Sequence, residues 1–184
     1  MDVIPDAVCS HALISRMFRA PLRPFIRRKA LALDCIDHQP HLFRHCSQEV
    51  RGDWDVALAA VKRDGGLLQY ASDSLKQNRD LAIIALAHGG TLQDVASELQ
   101  DDKALVLLAV TEDPCDLRWA SQRLRSDREV VLAALACWGG MCVRFADDSL
   151  RQDLEILNVA LDNAPPCMHQ NIYRWALGMS STFF

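Results

Sequence analysis

Apolar residues recur along the chain with a helical spacing, and this pattern repeats about every 25 residues. Segments of similar sequence begin at five anchor residues, separated by 25, 24, 25 and 26 positions: Asp53, Asn78, Asp102, Asp127 and Asp153. Counted from an anchor, positions +3, +4, +7 and +8 are apolar almost throughout, which places one apolar stripe on an α-helix. A step of 25 back from Asp53 reaches Arg28, where the pattern continues. We therefore number six repeat units, the first from Arg28 and the sixth from Asp153. The sixth begins with LEILNVAL and then loses the register.

Each unit is predicted to form two short helices. The anchor is an N-cap residue type, and position +7 is a small residue that lets two helix axes approach closely: Cys35, Ala60, Ala85, Ala109, Ala134 and Ala160. Glycine pairs then end the first helix, where glycine is favoured because it adopts positive φ readily: Gly65-Gly66, Gly89-Gly90 and Gly139-Gly140. A hairpin of this length cannot bury its own stripe. The sequence therefore predicts an all-α, solenoid-like stack of five to six short helical hairpins.

The repeat also resembles a known family. Its motif is D-x-(D/E)-V-V-L-x-A-V, a glycine turn, and then L-x-x-A-S-x-x-L-x-x-D, as in the fifth unit, DREVVLAALACWGG. This pattern is similar to the helical repeats catalogued as domain of unknown function 4116, over roughly 28–153. The resemblance implies a helical-repeat architecture. It supplies no activity and no catalytic residues.

Charge divides the chain into a basic start and an acidic body. Residues 7–33 hold six basic side chains and no acid, whereas residues 34–184 hold 14 basic and 22 acidic residues. We predict a basic N-terminal arm or capping helix at 1–27, the repeat array at 28–164, and a C-terminal capping helix at 165–184. In that last helix, Ile172, Trp175 and Ala176 are expected to face inward. The sequence does not indicate an oligomeric state.

The composition bears on the compartment. No apolar run approaches the roughly 20 residues that a transmembrane helix needs. Seven cysteines, an odd number without a CxxC pair, are typical of reduced cysteines used as small apolar residues. We therefore expect a cytoplasmic protein. The Arg-rich arm also has the character of an organelle transit peptide, although Asp2 and Asp6 argue against that alternative.

The segment CIDHQPHLFRHC, residues 35–46, concentrates two cysteines and three histidines. Cys35 occupies position +7, which is alanine in the other units, and Cys46 occupies +18, which is alanine in the next three. Both cysteines are therefore expected in the packing of successive helices, whereas zinc needs about four converging ligands. We predict no metal site and no cofactor. Phosphate-binding, nucleophile-elbow and HExxH signatures do not occur, so we do not expect an enzyme.

Position +1 holds a basic residue in four of the six units. In chain order, the residues of this +1 row are Lys29, Trp54, Arg79, Lys103, Arg128 and Leu154. Two explanations fit this row. The cations can pair with anchor acids such as Asp53, Asp102, Asp127 and Asp153, or with acids at +2. Alternatively, the row is a binding edge for an acidic partner, with Trp54 as an exposed contact residue. The second explanation makes Trp54, Arg79, Lys103 and Arg128 candidate binding residues, and Trp138, at the tip of a glycine turn, is a further candidate.

By analogy with other solenoids, we expect a non-enzymatic protein–protein interaction module whose partner is an unidentified protein. One alternative is binding of an anionic partner, a nucleic acid or a membrane surface, through the basic N-terminal arm. The acidic body makes nucleic acid an unfavourable partner. The other alternative is an enzyme or effector-like domain without a recognisable motif.

Overall fold

The computed structural model describes residues 26–136 and 140–178. The basic arm predicted at 1–27 lies outside the described residues except for its last two positions, and Trp138 lies outside them as well. Within the described ranges the chain is an array of short helices without a strand, and each repeat unit begins at its predicted anchor. The predicted all-α repeat fold is therefore confirmed.

Each unit begins with an α-helix of eight to ten residues, labelled by its unit number: α1 Lys29–His38, α2 Trp54–Val61, α3 Arg79–Ala87, α4 Lys103–Glu112, α5 Arg128–Ala136 and α6 Leu154–Asp162. Each anchor carboxylate or amide oxygen from Asp53 onward accepts hydrogen bonds from two backbone N–H groups of the helix that follows. The anchors are N-caps, as predicted, because each satisfies donors that the first turn leaves free.

The predicted second helix is divided into two pieces. A 3₁₀ helix comes first: Pro40–His45, Gly65–Tyr70, Leu92–Asp94, Pro114–Trp119 and Gly140–Phe145. A single α-helical turn follows in four units, Gln48–Arg51, Asp73–Lys76, Gln122–Arg125 and Asp148–Arg151, and the 3₁₀ turn Leu99–Asp101 replaces it in unit 3. The two pieces are separated by extended residues such as Ala71.

The extended residues explain the division, because their backbone bonds run between units. The Ser72 N–H donates to the Arg51 carbonyl at 3.3 Å, and the Ser121 N–H donates to the Gln100 carbonyl at 3.0 Å. The same bond joins Asp147 to Arg125 at 3.0 Å. A continuous helix would use these N–H groups internally, so the break gives neighbouring units a shared set of backbone hydrogen bonds.

Successive units pack in two layers. Helices α1 to α6 contact one another in order, and the 3₁₀ helices form a second row beneath them. The stripe at +3, +4, +7 and +8 is buried in units 2 to 5, which is the arrangement that the sequence predicts. The small residue at +7 is buried in all six units.

The array ends at helix α7, His169–Ala176, which follows the 3₁₀ turn Pro166–Met168 and packs on α6 and on the 3₁₀ helix of unit 5. Ile172 and Ala176 are buried and Trp175 is partly buried against the core, so the inward-facing residues of this helix are confirmed.

The glycine pairs have two different roles. Gly89 has φ of 81°, so it ends α3 in the way the sequence predicts. Gly65, by contrast, does not have a positive φ. A Cβ atom at Gly65 would lie 2.0 Å from the Ala85 carbonyl oxygen and 2.4 Å from the Gly90 nitrogen. Its N–H donates to the His88 carbonyl at 2.9 Å. Gly65 is therefore required for the close approach of units 2 and 3, and the predicted reason was wrong at this position.

Candidate functional site

The cations at position +1 form ion pairs that cross from one unit to the next. The Lys29 Nζ lies 2.9 Å from Asp53 Oδ1 and also pairs with Asp55. Three later pairs repeat the contact: Arg79 with Asp102 at 2.7 Å, Lys103 with Asp127 at 2.7 Å and Glu129 at 2.8 Å, and Arg128 with Asp153 at 2.5 Å and with Glu155. The ion-pair explanation of this row therefore describes what the structure contains. Each cation joins its unit to the anchor of the following unit.

These pairs keep the anchor carboxylates charged. A hydrogen bond from Arg79 lowers the pKa of Asp102, and one from Lys103 lowers the pKa of Asp127. The N–H groups of the helix that each anchor caps lower the pKa further. The cations respond in the opposite sense, because the Asp102 carboxylate raises the pKa of Arg79.

The edge that holds this row has an excess of acid. Its four cations stand against eight carboxylates at the anchor and +2 positions, a net charge of −4: Asp53, Asp55, Asp80, Asp102, Asp127, Glu129, Asp153 and Glu155. The outer acids Glu129 and Glu155 are about 70% exposed, at 69% and 71%. An acidic partner is a poor electrostatic match for such an edge.

Trp54 takes the place of a cation in unit 2. The anchor opposite it is Asn78, which has no charge, so this step of the row has neither member of the usual ion pair. The sequence predicts an exposed Trp54, but its side chain is only partly exposed and packs against the core. Trp54 is therefore not the fully exposed contact residue that the sequence predicts, because its large apolar ring covers part of the core. Leu154, the last residue of the row, is 77% exposed.

A second row, which the sequence analysis missed, lies on the 3₁₀ helices. The last two residues of these helices are an arginine followed by an aromatic ring or imidazole in units 1, 4 and 5: Arg44-His45, Arg118-Trp119 and Arg144-Phe145. The Arg118 guanidinium lies 4.8 Å from the Trp119 ring centroid. The Arg144 guanidinium lies 4.5 Å from the Phe145 centroid and 5.6 Å from that of Trp175. All three distances allow cation–π contact.

The cations of this arginine–aromatic row differ from those of the +1 row in their partners. Among the residues that the structure describes, no carboxylate lies within ion-pairing distance of Arg44, Arg118 or Arg144. All three side chains are exposed, and the rings beside them are half-buried. The Arg44 Nε donates to the His45 Nε2 at 2.9 Å. Burial and the Arg44 charge lower the pKa of His45.

Asp116 is a buried carboxyl in the same layer. It lies at position +14 from its anchor, which is leucine in the first three units, Leu42, Leu67 and Leu92. Its side chain is 3% exposed, and its Oδ2 accepts a hydrogen bond from the Leu92 N–H at 2.9 Å. Burial raises the pKa of Asp116 from 3.8 to about 6, with a smaller contribution from Asp113. A titratable group thus joins units 3 and 4 where other units have an apolar contact.

The cysteines of segment 35–46 are both buried, so their predicted packing role is confirmed. Burial and the neighbouring Cys35 raise the pKa of Cys46 to about 12, so this thiol stays protonated at neutral pH. His41 lies 3.7 Å from Asp64 on the exposed turn. In the described ranges, no group of three or more His, Cys, Asp or Glu side chains is arranged to hold a metal ion.

A family model described as domain of unknown function (DUF4116) matches residues 29–76, 53–100 and 102–137, which together make up more than half of the chain. No curated protein and no solved structure matches the chain. None of the helices among the described residues has both the length and the apolar character to cross a bilayer.

Proposed function

Because the chain belongs to the DUF4116 family, whose function is unknown, we infer its role from its own surface and propose a non-enzymatic protein–protein interaction module. The observation that supports this proposal is the arginine–aromatic row. Arg118 and Arg144 stand on neighbouring units, each stacked on a ring and each without a carboxylate partner among the described residues. Arginine and aromatic side chains are the residue types that contribute most to protein interfaces.

The partner is a protein segment that presents carboxylates beside apolar side chains. A guanidinium stacked on a ring keeps its N–H edge free, and that edge matches a carboxylate with two parallel hydrogen bonds. The half-buried rings of Trp119 and Phe145 offer apolar surface at the same place. Stacking on the rings also restricts the guanidinium before the partner arrives, which lowers the entropic cost of binding.

The +1 row has a different part in this proposal. Arg79, Lys103 and Arg128 hold successive units together, and the net charge of their edge disfavours an acidic partner. Trp54 contributes mainly to the core. Binding through these residues or through Trp138 is the weaker form of the proposal. Variants of Arg118 and Arg144, compared with variants of Arg79 and Arg128, separate the arginine–aromatic row from the +1 row.

The proposal places the interaction in the cytoplasm, where cysteines used for packing stay reduced. A nucleic acid or membrane surface as the partner of the basic N-terminal arm is the competing interpretation. Such binding would be lost steeply with salt because it depends on counterion release, whereas stacked and apolar contacts are retained.

Affinity capture tests the proposal. Tagged full-length protein is incubated with lysate of the source organism, washed at low and at high salt, and the retained molecules are identified by mass spectrometry. Wild type is compared with Arg118→Ala/Arg144→Ala and with the matched control Arg79→Ala/Arg128→Ala, which also removes two arginines. Thermal melts verify that all three proteins are folded.

We expect a protein that wild type and the control retain at high salt and that the Arg118→Ala/Arg144→Ala variant loses. Loss from the control alone would move the binding surface to the +1 row. Retention of nucleic acid or lipid alone, at low salt only, would contradict the proposal and favour the basic arm.

A further inference from the structure

Two cysteines from neighbouring units are in direct contact. The Cys115 Sγ lies 3.4 Å from the Cys142 Sγ, although 27 residues separate them in the chain. Cys115 is the second residue of the 3₁₀ helix Pro114–Trp119, and Cys142 is the third residue of Gly140–Phe145. These two helices pack against each other. The contact therefore spans the boundary between units 4 and 5.

The two thiols have different surroundings. Cys115 is partly exposed, whereas Cys142 is 2% exposed. The Cys115 backbone N–H donates to the Asp113 Oδ1 at 2.8 Å, which fixes the start of its helix. Cys142 lies four residues before the small residue Ala146, a position that holds Leu42, Leu67 and Leu92 in units 1 to 3. A leucine there would occupy the space in which the two thiols meet. A small oxidant can reach Cys115, and the second sulfur is already beside it.

We propose that Cys115 and Cys142 are an oxidation site that takes hydroperoxides and forms a disulfide between units 4 and 5. In the first step the Cys115 sulfur attacks the terminal oxygen of the hydroperoxide: the S–O bond forms, the O–O bond breaks, and Cys115 becomes a sulfenic acid. The leaving oxygen takes up the thiol proton and departs as water from hydrogen peroxide, or as an alcohol from an organic hydroperoxide. In the second step the Cys142 sulfur attacks the sulfenic sulfur. The S–O bond breaks, the S–S bond forms, and the sulfenic hydroxyl leaves as water with the Cys142 proton. The peroxide is reduced by two electrons, which the two thiols supply.

The geometry needs little adjustment for this reaction. A disulfide bond is about 2.05 Å long, so the two sulfurs must approach by about 1.4 Å from their distance of 3.4 Å. Rotation about the Cα–Cβ bonds of the two cysteines can supply part of this movement. The product ties the unit that carries Arg118 to the unit that carries Arg144, so oxidation would fix the spacing of the arginine–aromatic row. The disulfide itself does not depend on the proposed function.

The test uses the full-length protein and hydrogen peroxide. After treatment, free thiols are alkylated without reduction, and intact mass and tryptic peptides are measured. Cys115 falls in the tryptic peptide 104–118 and Cys142 in 129–144, and the second peptide also contains Cys137. Fragmentation of the linked peptide, together with a Cys137→Ser variant, therefore identifies the sulfur that is bonded. Cys115→Ser removes the accessible thiol, and Cys167→Ser, at an exposed cysteine, is the matched control.

Compared with untreated protein, we expect an intact mass lower by two alkyl groups and a further 2 Da. We also expect one link between 104–118 and 129–144 that Cys137→Ser retains, and no link in Cys115→Ser. Oxidation should raise the melting temperature by roughly 5–10 °C, reversibly with dithiothreitol, in wild type and in the Cys167→Ser control. A bond between Cys137 and Cys142, or Cys115 recovered as sulfinic acid beside a free Cys142, would overturn the proposal. So would an unmodified pair at a peroxide concentration that oxidises Cys167.

Discussion

Asp116 should make the stability of the repeat array decrease as the pH rises through the weakly acidic range. In the folded chain this carboxyl is buried, and its pKa is about 6 instead of 3.8. Between those two pH values the unfolded chain releases the proton and the folded chain keeps it. The stabilisation is therefore complete below pH 3.8 and is lost as the pH rises through 6. The two pKa values differ by about 2, which corresponds to about 3 kcal/mol.

The perturbation is Asp116→Asn, which removes the titration and retains an oxygen that can accept from the Leu92 N–H. Urea unfolding at a series of pH values from 4 to 8 gives the unfolding free energy of wild type and variant. The quantity of interest is their difference, because the paired anchor acids titrate in both proteins and cancel. Relative to wild type, the variant should gain about 2–3 kcal/mol between pH 4 and pH 8.

The control is Asp73→Asn, which removes an exposed carboxylate from the same repeat array. If the difference in unfolding free energy between wild type and Asp116→Asn is the same at every pH, the reasoning is refuted. A buried carboxyl whose pKa changes on folding must make that difference depend on pH. An equal change in the Asp73→Asn control would assign the effect to net charge instead of burial.

Four other substitutions test the packing of the array by thermal and urea unfolding. Ala109→Leu should overpack the buried +7 position and lower the unfolding free energy by on the order of 1–3 kcal/mol. Arg79→Ala should cost far less, because its ion pair with the next unit is half-exposed. The reverse order of these two losses would show that the repeat register is wrong. Gly65→Ala would place a Cβ 2.0 Å from the Ala85 carbonyl oxygen and should lower the unfolding free energy by about 3 kcal/mol or more. The Cβ of Gly66→Ala would meet only the flexible Asp64 side chain, at 3.3 Å, and should cost less than about 1 kcal/mol. Equal losses from the two glycine variants would contradict the close approach at Gly65.

The repeat register could be predicted because its signals are local. The anchor at each helix start and the stripe at +3, +4, +7 and +8 depend on helix geometry alone, and both are as predicted. The division of the second helix could not be predicted from its apolar spacing. It depends on backbone bonds such as that from Ser72 to Arg51 in the preceding unit. The role of Gly65 depends in the same way on a neighbouring unit that the local sequence does not describe.

The candidate surfaces were less accessible to sequence reasoning. The acids and cations of the +1 row are plain in the sequence, but only the structure shows that each pair crosses a unit boundary. The Arg118-Trp119 and Arg144-Phe145 neighbours do not face each other in an α-helix, so their stacking was missed. The signal that could have found them is the recurrence of a basic residue before an aromatic one at the end of the 3₁₀ helix. Cys142 lies near Cys137 in the sequence, whereas its contact is Cys115, 27 residues away.

The most direct test of the interaction proposal is the dissociation constant of the captured partner, measured by titration calorimetry at 150 mM salt, for wild type and for Arg118→Lys/Arg144→Lys. Lysine keeps the charge but loses the planar guanidinium that stacks on the ring and binds a carboxylate with two bonds. We predict binding at least 10-fold weaker for the lysine variant, with an unchanged melting temperature. Equal affinities would contradict the account, because the partner would then recognise only charge or another surface.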